Sequence, residues 1–405
     1  MKAIATHHLK LLPNDDCWSL FEKHAFRDGS SNADPEIKEI GTQIAKKCKG
    51  LPLAIKAIGD LLWSESSVER WMNILKSNLW DLSMEGTNIL PALRLSYKYL
   101  PSYLKRCFAY CSIFPKDYIF KKDQLVLLWM AEGFLQQSEI ETMEEVGNRY
   151  FHSLVSRSLF QQSSCVTKSG FIMHDLVNDL AKFVAGQFGT DSLKTIGKMT
   201  RYVSYFPESW YKVHYIEDNL LKAKQLRTFL ALDFEGRSTV MHRKIKIPTT
   251  ILMCLRVLSL RIGSRTTKLP DSIGKMKYLR YLDVFGLSIK GLPNSICNLC
   301  NLQTLKLSWC LDLDRLPRDM WKLINLRHLE IDNTNRLKEM PLKMGRLQCL
   351  QTLTKFVVNK QDSGSRIGEL EKLINLQGNL FIQNLQHVRS SDDAFNARLK
   401  DKAYL

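Results

Sequence analysis

The segments "LRVLSLRI" (255–262), "LRYLDVFG" (279–286), "LQTLKLSW" (302–309) and "LRHLEIDN" (326–333) share an L-x-x-L-x-[LVI] core. Their first leucines, Leu255, Leu279, Leu302 and Leu326, recur every 23 or 24 residues, and Leu350 in "LQTLTKFVV" keeps the period. Leu376 in "NLQGNLFI" follows it loosely, and Pro270, Pro293, Pro317 and Pro341 mark one position of successive units. A unit this short cannot bury its leucines alone, so stacked units must build one continuous core beneath a curved sheet. The periodicity is that of leucine-rich repeats and predicts an α/β solenoid over residues 191–405. Between the strand leucines, alternate side chains are expected to face solvent on the concave side. Those positions carry Val257, Ser259 and Arg261; Tyr281, Asp283 and Phe285; Thr304, Lys306 and Ser308; and His328, Glu330 and Asp332. Differing chemistry on a constant scaffold suits protein recognition, so Arg261, Tyr281, Asp283, Phe285, Lys306, His328, Glu330 and Asp332 are the expected partner surface.

Upstream of the repeats the sequence reads as helices with clear punctuation. In "LPNDDCWSLFEKHAF", Asn14 is placed to cap, and Trp18, Phe21 and Ala25 share a face. In "ADPEIKEIGTQIAKKCKG", Asp34 caps, Pro35 takes the first helical position, and Ile37, Ile40 and Ile44 form the apolar stripe. "LPLAIKAIGDLLW" (51–63) starts another helix behind Pro52. From about residue 88 the pattern gives helices around Leu90–Tyr97, Pro101–Cys111 and Asp123–Phe134, then one with Val146, Tyr150 and Leu154 in step. Two short β-like segments follow, "SLFQQSS" (158–164) and "GFIMH" (170–174), joined by a polar turn. Helices followed by a hairpin make a winged-helix arrangement. Its return strand runs through Met173, His174 and Asp175 into a further helix.

A chain of 405 residues exceeds one compact core. The expected division is an all-α part over 1–86, a winged helix over 87–190 and the repeats over 191–405. The formal charge of +17 favours acidic partners, yet the basic residues sit in small scattered groups such as "KKCK" (46–49) and "HRKIK" (242–246). That scatter fits solvated faces better than a dedicated polyanion site. Ten cysteines without a secretory signal suggest free thiols in a reducing compartment, and no apolar run reaches membrane-span length. A cytoplasmic protein is the expectation.

Catalytic constellations are missing from the pattern. No G-x-S-x-G elbow and no H-E-x-x-H occurs. Cys297-x-x-Cys300 has no second ligand pair at zinc spacing, and Cys107 and Cys111 read as core thiols, so neither an enzyme nor a metal site is expected. No G-x-x-x-x-G-K-[ST] phosphate cradle is present either. From these residues alone, His174 beside Asp175 reads as a helix cap or as a ligand contact, and Gly50-Leu51-Pro52-Leu53 as a helix boundary or an apolar wall.

The order of the pieces adds more. "CWSLFEKHAF", "KGLPLAI", "CFAYCSIFPKDY", "MHDLVNDLA" and then the repeats resemble, over essentially the whole chain, the plant NB-LRR disease-resistance proteins with a coiled-coil N-terminus. The resemblance implies an intracellular immune receptor whose ADP/ATP exchange is a switch. It makes residues 1–86 the C-terminal helical part of an NB-ARC domain. Gly50, Leu51, Pro52 and Leu53 match the motif whose proline packs on adenine, and His174 matches the winged-helix histidine that reaches the β-phosphate. Met173 and Asp175 flank it as regulatory positions, with Asp175 expected to cap the helix and brace the ring. The repeats would sense a pathogen effector or a guarded host protein and hold the switch closed against a nucleotide-binding domain. The family's P-loop and Walker B strand are expected before residue 1 and the chain stops within the repeats. The reading is therefore a receptor truncated at both ends that does not bind ADP appreciably by itself. Two other classes stay open: a repeat scaffold or decoy that binds a protein without a switch, and a winged-helix nucleic-acid binder.

Overall fold

Proline placement opens several of the helices. In this computed structural model, α1 spans Asn14–Ala25, α2 Pro35–Lys47, α3 Pro52–Leu62 and α4 Val68–Leu75. The structure describes residues 10–26, 34–63, 65–81, 89–163, 170–205, 216–232, 253–260, 267–360 and 365–405. Pro35 and Pro52 stand at the first helical position, where a missing N–H costs nothing. The Asp34 carboxylate caps α2 by accepting the Glu36 N–H at 2.9 Å. Asn14 does not cap as expected: Pro13 precedes α1 without a side-chain bond, and Asn14 is already helical. α1 packs on α3 and α2 on α4, with Phe21 set edge-on to Trp71 at 6.0 Å.

The next helices are α5 (Pro91–Lys98), α6 (Ser102–Tyr110), α7 (Lys122–Glu132), α8 (Met143–Val155) and α9 (Asp175–Ala185). A full capping box starts α8, with Thr142 and Glu145 serving each other's backbone. Between α8 and α9 lies the predicted hairpin, β1 (Gln161–Gln162) antiparallel to β2 (Phe171–Ile172). A bridge from Phe171 to Phe120 brings a third segment to it. The aromatic rings of Phe114, Phe120, Phe151, Phe160 and Phe171 fill the space behind this wing.

The repeats form one parallel sheet of eight strands in chain order: β3 (Gly189–Thr190), β4 (Tyr202–Tyr205), β5 (Thr228–Ala231), β6 (Val257–Ser259), β7 (Tyr281–Asp283), β8 (Thr304–Lys306), β9 (His328–Glu330) and β10 (Thr352–Leu353). β11 (Lys355–Val357) pairs in parallel with β12 (Phe381–Gln383). The leucines that set the period are fully buried, and Pro270 and Pro293 lead into short 3-10 turns on the opposite side.

Chain contacts divide the described fold into two compact units. One contains Met1–Val126 with Phe134–Gly186, so the helical part and the winged helix, read from sequence as separate domains, form a single unit. The other contains Gln187–Leu405 together with Leu127–Gly133, the last turns of α7.

Candidate functional site

His174 stands where β2 gives way to α9. Its backbone is extended and its Nδ1 accepts the Leu176 N–H at 3.1 Å, so the histidine itself is the cap. This corrects the expected division of labour. Asp175 is the first helical residue rather than the cap, because the ring reaches the orphan amide first and leaves the carboxylate in the first turn, where the helix dipole favours it. With Nδ1 engaged as acceptor, the neutral ring carries its proton on Nε2, on an exposed residue. Met173 points the other way and is buried.

The underside of α9 anchors the site. Val177, Asn178 and Ala181 are buried, and Asn178 Nδ2 donates to the Phe114 carbonyl at 2.9 Å. On the outside Lys116 pairs with Asp179 at 2.9 Å. The "CSIFPKDY" turn and the "MHDLVNDLA" helix, 64 residues apart at the Asn178 bond, are thus one device. Asn178 was not singled out in the sequence, although its place one turn beyond His174 and beside Val177 puts it on the inward face.

Gly50, Leu51, Pro52 and Leu53 form the entry to α3. Gly50 has φ of +72°, its carbonyl accepts from the Leu12 N–H at 3.0 Å, and a side chain there would strike the Leu12 backbone. Leu51 precedes the helix without a side-chain cap, Pro52 is exposed and Leu53 is half-buried. The result is an exposed proline ring beside uncapped amides, which suits a flat apolar group with polar edges. α5 packs on both α3 and α9, which joins the two candidate segments within one unit. Inside that unit, Asp60 of α3 is a buried carboxylate bonded to His24 Nδ1 at 2.8 Å and to the Ser158 hydroxyl.

The repeat surface departs from expectation. Val257, Ser259, Tyr281, Asp283 and Thr304 are fully buried, and Ser308 and His328 nearly so. The register stacks Thr228, Val257, Tyr281, Thr304, His328 and Thr352 as one column of directly opposite residues. Strands about 4.8 Å apart bring such columns into van der Waals contact. The polar members also bond to one another. Ser259 donates to Asp283 at 3.2 Å, Ser308 to Asp332 at 3.1 Å, and His328 shares 3.0 Å with Thr352. Asp283 and His328 are therefore bonded braces and Tyr281 a packed member of its column, rather than a solvent-facing surface. Lys306 and Glu330 pair at 2.8 Å and, with Phe285 and Asp332, stay half-buried, while Arg261 lies outside the described residues.

Burial raises the Cys107 and Cys111 thiols well above the usual range, as fits packed core residues. Cys297 is buried and pushed up to about 11, whereas Cys300 is exposed. Among the described residues no cluster of three metal-ligating side chains occurs, and no helix is long and apolar enough to cross a membrane.

Comparison with known proteins agrees with this anatomy. Residues 113–181 match the family described as "Disease resistance protein Winged helix domain", and residues 226–400 match "Leucine-rich repeat region". Over 100% of its length the chain is 45% identical to the RPP13-like protein 1 of Arabidopsis thaliana, of which it covers 38%. It is also 36% identical over 100% of its length to disease resistance protein RGA2 of Solanum bulbocastanum, of which it covers 39%.

Homologues of this chain along its whole length are plant disease-resistance proteins.

It spans about two fifths of the length of these relatives. The disease-resistance winged-helix match contains Phe114, His174, Leu176 and Asn178, the residues paired by the Asn178 bond and the His174 cap. Among solved structures, the plant peptide hormone receptor RGFR1 in complex with RGF2 aligns at 21% identity and a TM-score of 0.33, over 46% of this chain and 29% of that one.

Proposed function

We propose that this chain supplies the winged-helix switch and the recognition repeats of a cytoplasmic plant immune receptor, and that His174 reads the phosphates of a bound ADP or ATP. The observation that carries the reading is the His174 cap: Nδ1 accepts a backbone N–H, so Nε2 is the donor on an exposed ring at a helix start. A donor beside the amides of a helix N-terminus is an anion contact by its chemistry. Pro52, exposed at the start of α3, would hold the adenine, with Gly50 fixing the turn that presents it. When bound, the nucleotide supplies the charge difference between two states. The chain's own groups bind and orient it, and no residue is assigned a catalytic step.

The repeats would recognise a pathogen effector or a guarded host protein. The half-buried Phe285, Lys306, Glu330 and Asp332 are the expected positions still open to a partner. The test joins this chain to the nucleotide-binding domain of a relative and measures ADP affinity by calorimetry. A hydrogen bond to a charged group contributes about 1.5–3 kcal/mol, so His174→Asn should weaken ADP roughly tenfold or more and change resting activity. Unchanged ADP affinity in His174→Asn would remove the switch role and leave a scaffold or decoy.

A further inference from the structure

Away from His174 and Pro52, the C-terminal half of α9 and the exposed face of α5 leave a groove. The groove is open to solvent, measures about 420 Å³ and has apolar walls that include Leu79, Leu180 and Phe183. Such a volume is within the range of small-molecule sites. Three cations stand at its edge: Arg94, Lys98 and Lys105. Arg94 lies over the Phe183 ring at 5.2 Å, and Lys105 Nζ donates to the Lys98 carbonyl at 2.8 Å, which closes the end of α5. A second chamber of about 550 Å³ shares Leu79 and Lys98 and adds Lys76 beside polar side chains. Among the described residues no carboxylate lines either chamber.

Several features single this place out. Phe183 is 54% exposed on a helix whose opposite face is packed, so beyond the Arg94 guanidinium much of its ring faces the groove. Lys98 and Arg94 are one helical turn apart and so share a face of α5. An apolar recess with cations at its rim and no anion among its described lining residues complements a molecule with the reverse pattern. Neither an apolar ligand nor a bare anion would use both halves.

We infer that this groove binds a small amphipathic anion, an aromatic or aliphatic body carrying one carboxylate or sulfonate, with the body against Leu180 and Phe183 and the charge at Lys98 and Lys105. This goes beyond the nucleotide reading and concerns different residues. The experiment titrates the full chain with 8-anilinonaphthalene-1-sulfonate and follows fluorescence, with dodecanoate, inorganic phosphate and ADP as competitors. Saturable binding is expected, displaced by dodecanoate and weakened by salt, because the charge contacts are at the surface. Lys98→Glu should weaken it about tenfold or more, since a charge-assisted bond becomes a repulsion. Phe183→Ser should weaken it as well, while Phe183→Trp retains it. Both Lys98 and Phe183 are exposed, and circular dichroism checks that the variants remain folded. Wild-type affinity in Lys98→Glu and Phe183→Ser would overturn the proposal. So would displacement by phosphate as effective as by dodecanoate, which would mark a bare anion site. Displacement by ADP at equal concentration would overturn it too, by making the groove part of the nucleotide site.

Discussion

At the scale of single residues, His174 does two jobs that can be separated. As a cap it satisfies the Leu176 amide, and as an exposed ring it offers Nε2. Asparagine is among the best N-caps and has no imidazole, whereas alanine is a poor cap. His174→Asn should therefore keep thermal stability within about 0.5 kcal/mol, and His174→Ala should lose roughly 1 kcal/mol. Chemical denaturation of the two variants checks this; equal loss in both would mean the ring packs rather than caps. The dipeptide His174–Asp175 was visible in the sequence, but its roles were not. Either residue could cap the helix start, and only the backbone geometry at the junction decides that the histidine does. Asp60 was harder to see. Nothing in "AIGDLLW" distinguishes a buried carboxylate from an exposed one, because its partners His24 and Ser158 lie 36 and 98 residues away.

Among the elements, strands β6 to β10 were legible because leucine recurs at fixed spacing and the backbone obeys it. β4 and β5 occupy equivalent places in the same sheet and were missed. Their inward positions hold Thr200, Val203 and Tyr205, then Leu226, Phe229 and Ala231, so five of these six places in the L-x-x-L-x-L pattern carry another residue. The interval from Leu226 to Leu255 is also longer than the 23 or 24 residues of the later units. Packing accepts any apolar volume that fits, whereas pattern recognition needs one residue type. The same regularity exposes a defect. Asn301, Asn325 and Asn375 each donate a side-chain N–H to the backbone of the preceding unit, at Lys277, Cys300 and Gln348, over 2.7–2.9 Å. Cys349 occupies the equivalent position between Asn325 and Asn375 and cannot extend the ladder. Cys349→Asn should restore the rung by donating to the Ile324 carbonyl, adding about 0.5–1.5 kcal/mol. Asn325→Ala should remove a similar amount. A urea midpoint that falls in Cys349→Asn would show that the thiol packs in a way the amide cannot.

For the whole molecule, the net charge of +17 says that acid should be unfavourable, since each added proton increases self-repulsion. One group opposes that trend. Glu132, at the end of α7 and within the repeat-containing unit, is 1% exposed. Desolvation pushes its carboxyl up to about 7, although the Thr228 hydroxyl and the guanidinium groups of Arg256, Arg227 and Arg280 pull the other way. Thr228 donates to Oε1 at 2.5 Å, and Arg256 donates to the Glu132 backbone carbonyl. No hydrogen bond reaches Oε2 among the described residues. The sequence offered no sign of this, because Glu132 in "WMAEGF" ends an apolar helix where a carboxylate is ordinarily solvated. Between the unfolded value of 4.5 and about 7 the folded state binds the extra proton. This group's stabilising contribution is therefore fully present below 4.5 and is lost as pH rises through 7. The shift corresponds to a cost of about 3 kcal/mol once the buried group is ionised. Comparing the parent with Glu132→Gln isolates this effect, because the other charges are common to both. The glutamine stays neutral and keeps an acceptor for Thr228. The two proteins should have equal stability near pH 4, and the variant should gain progressively to about 3 kcal/mol by pH 8. Parallel stability curves across that interval would show that the arginines, not burial, govern the carboxyl.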